Sequence, residues 1–259
     1  MDPLNTDSIK FADEAIFALF KGEPKTGKSI AAHSFPDTYT FLFDIGRMPS
    51  VINYHKKNFK YNTFNNLVEV NKQCMEFRKH CPYKTLIVDS LTRFVMLAER
   101  CMIEYRMPSQ KSDSKTVRAG IPMTEIEDYG GMYRAQVMLT DSLLAIHLEQ
   151  KVNVIFIAHV IEVTTENLKT KQVIPHRSLV AAGKKAAAVL PVDFNEVYHF
   201  YVESSTDPTN HKPRFVAWTV SNGLDWAASA LGLPEQLIWT NEDFCKKVQM
   251  CLAGKDMWR

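Results

Sequence analysis

The chain has 259 residues, 46% of them hydrophobic and 23% charged, with a formal net charge of +2. These are the proportions of an ordinary soluble protein built on one large α/β domain with appendages. No apolar stretch reaches the ~18 residues of a membrane span and no basic start leads into an apolar run, so a cytoplasmic protein with no membrane partner is expected. Five cysteines (Cys74, Cys81, Cys101, Cys245 and Cys251) make an odd set with no C-x-x-C pair. Neither a disulfide framework nor a zinc site is indicated, and reduced packing cysteines are expected.

In chain order, Ala15–Phe20 is a continuous apolar run of strand length, as a parallel strand covered on both faces requires. Directly after it, Gly22-Glu23-Pro24-Lys25-Thr26-Gly27-Lys28-Ser29 fits G-x-x-x-x-G-K-[ST] at every fixed position. In such a loop glycines let backbone N–H groups turn inward onto phosphate oxygens. Lys28 adds a point charge between the terminal phosphates, and Ser29 offers a hydroxyl to Mg²⁺. Residues 29–35 read as a short helix stopped by Pro36, its positive end toward the phosphates. A glycine turn that binds nothing is the plain alternative, and the flanking strand and helix argue against it.

Tyr39–Asp44 is a second strand, β-rich and closed by a carboxylate at the sheet end where function collects. Leu67–His80 has apolar residues at helical spacing, and Tyr83–Ser90 supplies a third strand ending in Asp89. A carboxylate there can hold the metal of a bound nucleotide; it can equally cap the helix that opens at Leu91, and the two roles are compatible. Residues 106–129 break periodicity and read as a long loop, Tyr133–Glu149 returns to helix spacing, and Val152–His159 is a fourth buried strand. Residues 160–190 hold a candidate hairpin around Glu166-Asn167 and the cluster Gly183-Lys184-Lys185. Glu196–Val202 and Arg214–Val220 read as two antiparallel strands, with two short helices after Leu224. The expected organisation is a core over residues 1–240, including the loops 106–129 and 160–190, and a helical tail over 241–259.

The order of these blocks, with Asp44, Asp89-Ser90, Ala158-His159, the G-K segment and Asp193–Val197 after the phosphate loop, resembles phage nucleotide-binding proteins of the RecA-like P-loop ATPase superfamily. Those proteins are described as single-strand annealing or recombination ATPases, and the resemblance covers residues 15–237. It implies a mostly parallel central sheet between helices with antiparallel C-terminal strands. It also implies ATP and Mg²⁺ as ligands, a homo-oligomeric ring or filament, and single-stranded DNA as partner. The loops that would face DNA carry Arg106, Lys111, Lys115, Arg118, Lys169, Lys171, Arg177, Lys184 and Lys185, cations suited to phosphate contact. The same charges could simply solvate the loops. His159 falls where the superfamily places a sensor of the terminal phosphate, although a lone histidine also serves as a local hydrogen-bond partner. Lys184 and Lys185 fall where related ATPases reach into a neighbour's nucleotide, and a surface pair at a helix start is the competing reading.

One departure stands out. Gly46 occupies the place of the glutamate that orients the attacking water in many relatives, which leaves Asp44 or a residue from elsewhere for that role and predicts slow turnover. Two functions follow from the resemblance: an ATP-dependent DNA-binding recombination protein, or a nucleotide-gated accessory factor of the helicase-loader or packaging kind. A small-molecule kinase is less favoured, since no lid or acceptor pattern is recognisable.

Overall fold

The apolar run of the first strand, β1 (Phe17–Gly22), is continuous because the strand is covered on both sides. Phe17 and Leu19 enter one apolar layer, while Ala18 and Phe20 enter the other. The structure is a computed structural model. It is described over residues 15–43, 48–56, 59–106, 117–118, 121–122, 126–166, 173–203, 214–221, 226–239 and 244–252.

After β1 come α1 (Lys28–Ala32), β2 (Thr38–Leu42), α2 (Met48–His55), β3 (Lys60–Thr63), α3 (Leu67–Lys79), β4 (Thr85–Asp89) and α4 (Leu91–Arg106). The small ribbon of β5 (Val117–Arg118) and β6 (Ile121–Pro122) precedes α5 (Ile126–Gln150), which leads into β7 (Asn153–Glu166) and β8 (Val173–Leu179). Then follow α6 (Gly183–Val189), a 3₁₀ turn (Leu190–Asp193), β9 (Glu196–Glu203), β10 (Arg214–Trp218), β11 (Ala228–Ser229), β12 (Gln236–Trp239) and α7 (Phe244–Leu252).

Ten of these strands form one sheet in the order β12-β10-β9-β1-β7-β4-β2-β3, with β11 joined to β9 and β8 to β7. From β9 across to β3 the pairings are parallel. The pairings of β10, β11 and β12 are antiparallel. The expected mostly parallel sheet with antiparallel C-terminal strands is therefore what the chain builds. β1 and β4 are not neighbours: β7 lies between them, with Gly22 opposite His159 and Asp89 opposite Ile157. Gly22, His159 and Asp89 thus come together at the same end of the three parallel strands.

Alternation within β4 and β7 feeds the same two layers. Leu86, Val88, Val154 and Phe156 pack with α3, α4 and α5 residues such as Phe77, Phe94 and Leu143. On the other face, Ile87, Ile155 and Ile157 pack with Ala31 of α1 and with Phe244 and Val248 of α7. Cys74 is part of the first layer, and burial pushes its thiol up to about 12, which keeps it protonated. Asn66 caps α3 by accepting from the Glu69 amide at 3.0 Å, while Glu69 reaches back to the Asn65 amide. Among the described residues no helix is long and apolar enough to cross a membrane.

Four element expectations need correction. Helix α5 starts at Ile126 rather than Tyr133, so it absorbs the end of the expected 106–129 loop; Gly130 and Gly131 hid the pattern. Strand β7 continues past His159 to Glu166, pairing with β8 as the hairpin expected near Glu166. In place of two short helices after Leu224, the described residues form β11, β12 and one helix, α7. Neither α2 nor β3 was anticipated.

Candidate nucleotide site

At Gly22 the chain leaves β1 with φ +153°, and a Cβ there would stand 2.2 Å from the Phe200 carbonyl oxygen of β9. Gly27 turns the loop into α1 with φ +86°; its Cβ would lie 2.9 Å from the Trp239 ring. Lys25 also has positive φ, at 67°. The loop is thus pressed against β9 and β12 so closely that only glycine fits at its two fixed glycine positions. Behind Gly27, Phe215 and Trp239 are stacked with ring centroids 5.2 Å apart.

Lys28 is buried despite its charge. Its ammonium donates to the Gly22 carbonyl at 2.9 Å, the Glu23 carbonyl at 2.5 Å and the Thr26 hydroxyl at 3.1 Å. The Thr26 hydroxyl donates in turn to the Glu23 carbonyl at 2.8 Å. A buried cation needs such partners, and carbonyl oxygens supply them without neutralising it. The side chains of Glu23, Pro24 and Lys25 are exposed, which leaves the outer rim of the loop open.

Next along α1, the Ser29 hydroxyl donates to Asp89 Oδ2 at 2.7 Å. Asp89 ends β4 and is buried, and the Asp89–Ser90 peptide bond is cis. The side-chain contact to the start of α4 is made by Ser90, whose hydroxyl oxygen accepts from the Arg93 amide at 3.3 Å. The Asp89 carboxylate faces the phosphate loop. A hydroxyl and a carboxylate in contact, one residue from a buried ammonium, fit Mg²⁺ and a polyphosphate in donor chemistry: Mg²⁺ uses one or two protein oxygens and takes others from phosphate and water. Ser29 and Asp89 would hold the metal, and Lys28 with the loop amides would hold the phosphates.

His159 is buried at the end of the β7 segment that pairs with β1. Its amide donates to the Thr92 hydroxyl of α4 at 3.1 Å, and its carbonyl accepts from the Val180 amide just after β8 at 2.9 Å. One residue therefore touches the Asp89 side of the site through α4 and the β7–β8 hairpin through its end. Arg177 of β8 is brought to the loop itself: its Nη2 stands 3.7 Å from Glu23 Oε1. Lys184 and Lys185 lie in the first turn of α6. Arg106 closes α4 and pairs with Asp128 of α5 at 3.1 Å, holding those helices together. Arg118 belongs to the backbone of β5. Asp44, Gly46, Lys111, Lys115, Lys169 and Lys171 lie outside the described residues.

Sequence reasoning missed several supporting residues. His33 bridges the Ser29 carbonyl (Nδ1, 2.8 Å) and the Thr40 hydroxyl of β2 (Nε2, 2.9 Å). Since a carbonyl only accepts, Nδ1 donates to Ser29, and in a neutral ring Nε2 then accepts from Thr40. Thr92, Phe215 and Trp239 were likewise not singled out. Only the four-residue spacing of Ser29 and His33 left a local trace; the rest depends on distant chain segments.

A parallel sheet with a lysine-bearing glycine loop after its first strand, and a carboxylate from a non-adjacent strand against the loop serine, defines a P-loop NTPase. A family model described as an AAA domain matches residues 15–222, and the chain belongs to that family. No curated protein matches the chain.

Proposed function

We propose that this protein is an ATPase that acts on single-stranded DNA in recombination or annealing, assembling into homo-oligomers with ATP as the assembly switch. The nucleotide half of this reading is carried by the 2.7 Å contact between Ser29 and Asp89 beside the buried Lys28 ammonium. Lys28 holds terminal phosphate oxygens and offsets charge as the γ-phosphoryl group transfers to water. Ser29 and Asp89 would hold Mg²⁺, which when bound would neutralise more of that charge. Asp44, the carboxylate that closes the β2 segment in sequence, orients the water, and the glycine at position 46 keeps turnover slow. His159 reports the terminal phosphate.

The DNA half is supported by the route out of the site. β7 runs between β1 and β4 and continues past His159 into the hairpin with β8. Movement at the phosphates would travel along β7 toward the segment that joins it to β8; Lys169 and Lys171 of that segment, with Lys111 and Lys115 from the sequence between α4 and β5, are assigned to the DNA backbone. Lys184 and Lys185, at the start of α6, are assigned to the neighbouring subunit's nucleotide.

The test joins nucleotide binding, turnover and DNA binding on the full chain. Lys28→Ala should abolish ATP binding with the circular dichroism spectrum unchanged. Single-stranded DNA should raise wild-type ATP turnover. Lys111→Ala combined with Lys115→Ala should weaken DNA binding and reduce the log–log salt slope by about 1.4, two phosphate contacts at ~0.7 each. ATP turnover with no DNA binding at any salt would replace the DNA role by that of a nucleotide-gated factor for a protein partner.

A further inference from the structure

The contact between Arg177 and Glu23 joins the β7–β8 hairpin to the phosphate loop, and the loop motif by itself gives it no role. Arg177 projects from β8, directly across the ladder from Glu162 of β7. Its Nη2 is 3.7 Å from Glu23 Oε1, with the two side chains 36% and 62% exposed. A pair that open to water contributes little by itself to holding either side chain. A better partner would arrive close by, because the Glu23 carbonyl accepts from Lys28 Nζ at 2.5 Å. Glu23 thus joins the two cations, its carboxylate facing the guanidinium and its carbonyl accepting from the ammonium. A terminal phosphate offers more negative charge than a carboxylate and three acceptor oxygens, and the guanidinium fork matches them with paired N–H donors.

We propose that Arg177 is a nucleotide-contacting residue supplied in cis by the β7–β8 hairpin. When ATP binds, it exchanges Glu23 for the terminal phosphate, and Glu23 is its counter-ion between turnovers. The inference rests on the reading of Gly22–Ser29 as an ATP site. It adds a reason for the hairpin to answer to nucleotide state, since ADP lacks the oxygens that Arg177 takes. Its backbone setting suits the role: the Val180 amide, just beyond β8, donates to the carbonyl of His159, which lies opposite Gly22 in the sheet. No covalent step is involved. The guanidinium adds positive charge where the transferring phosphoryl group develops negative charge.

The experiment measures Mg·ATP and Mg·ADP affinities by calorimetry, with kcat and KM for ATP, on the full-length wild type, Arg177→Ala, Arg177→Lys, Glu23→Gln and the Arg177→Ala/Glu23→Gln double variant. Arg177→Ala should weaken ATP by about 10- to 100-fold, the loss of charged hydrogen bonds, and lower kcat while ADP affinity stays unchanged. Arg177→Lys should recover part of the ATP affinity, since it restores charge without the fork. Glu23→Gln should strengthen ATP binding by about threefold in the wild-type background and have no effect once Arg177 is gone. A purely structural role would weaken both nucleotides together. Unchanged ATP affinity in Arg177→Ala, parallel losses for ATP and ADP, or a Glu23→Gln effect that ignores residue 177 each overturns the assignment. So does an Arg177→Ala variant that loses DNA affinity alone. Failure of the ATP-site reading would look different: the wild type would bind neither nucleotide, or Lys28→Ala would bind both as the wild type does.

Discussion

Replacing Gly22 by alanine asks the phosphate loop for space that β9 already fills. The added methyl would stand 2.2 Å from the Phe200 carbonyl oxygen, so the loop must open by about 1 Å to reach an ordinary contact distance. It would also hold a residue with a side chain at φ +153°. Backbone strain of ~1–3 kcal/mol and overpacking of a similar size place the loss of stability at about 2–6 kcal/mol. The functional loss is larger in proportion, because a 1 Å displacement of positioning groups costs ~10²-fold. Urea denaturation and ATP titration of the same preparation give both numbers. Gly232→Ala is the control: φ there is +65° and nothing lies within 4 Å of the added methyl. That glycine follows the Ala230 and Leu231 amides that donate to Glu196, at the opposite end of β9 from the loop. The control should lose only ~1–2 kcal/mol and bind ATP normally. A Gly22→Ala protein with wild-type midpoint and wild-type ATP affinity would refute the argument that tight backing shapes this loop.

Two further results are expected. Ser29→Ala and Asp89→Asn should each lower Mg²⁺-dependent turnover at saturating ATP by ~10²–10³-fold, several kcal/mol of charge stabilisation, with the fold retained; turnover that keeps its Mg²⁺ dependence in both variants would remove them from the metal site. Glu196 is fully buried in β9, and burial raises its carboxyl pKa above the ordinary 4.5 despite donors from Tyr198, Ala230 and Leu231. The folded state then holds this proton to higher pH than the unfolded chain, so stability falls as pH rises from about 4.5 through the raised folded value and levels off above it. Glu196→Gln should flatten that slope in denaturation midpoints and stabilise the neutral-pH protein, whereas an unchanged slope would assign the dependence to another group.

The phosphate loop was legible because its chemistry is local: eight consecutive residues carry the glycines, the ammonium and the hydroxyl. The buried parallel strands were legible for a related reason, as strands covered on both faces read as unbroken apolar runs. β3 escaped notice because Lys60-Tyr61-Asn62-Thr63 is an exposed edge strand, defined by its backbone pairing with β2 and not by a pattern of side chains. β12 has only four residues, too few for alternation to distinguish a strand from a helix turn. The contact of Asp89 with Ser29 could be expected from motif order. That of Arg177 with Glu23 could not, since it depends on β7 running past the sheet and returning as β8, a long-range fact with no local signature.

Trp239 closes the last strand of the sheet, yet it packs against the glycine at the start of the first nucleotide-binding helix. The AAA-domain match ends at residue 222, so the region shared with the family stops short of this contact. During synthesis the loop leaves the ribosome early, and the indole that backs it emerges more than two hundred residues later. A chain ending at that family boundary would carry the whole motif with Phe200 and Phe215 behind it, but without the indole. The full backing of the loop is thus assembled only once β12 has joined the sheet.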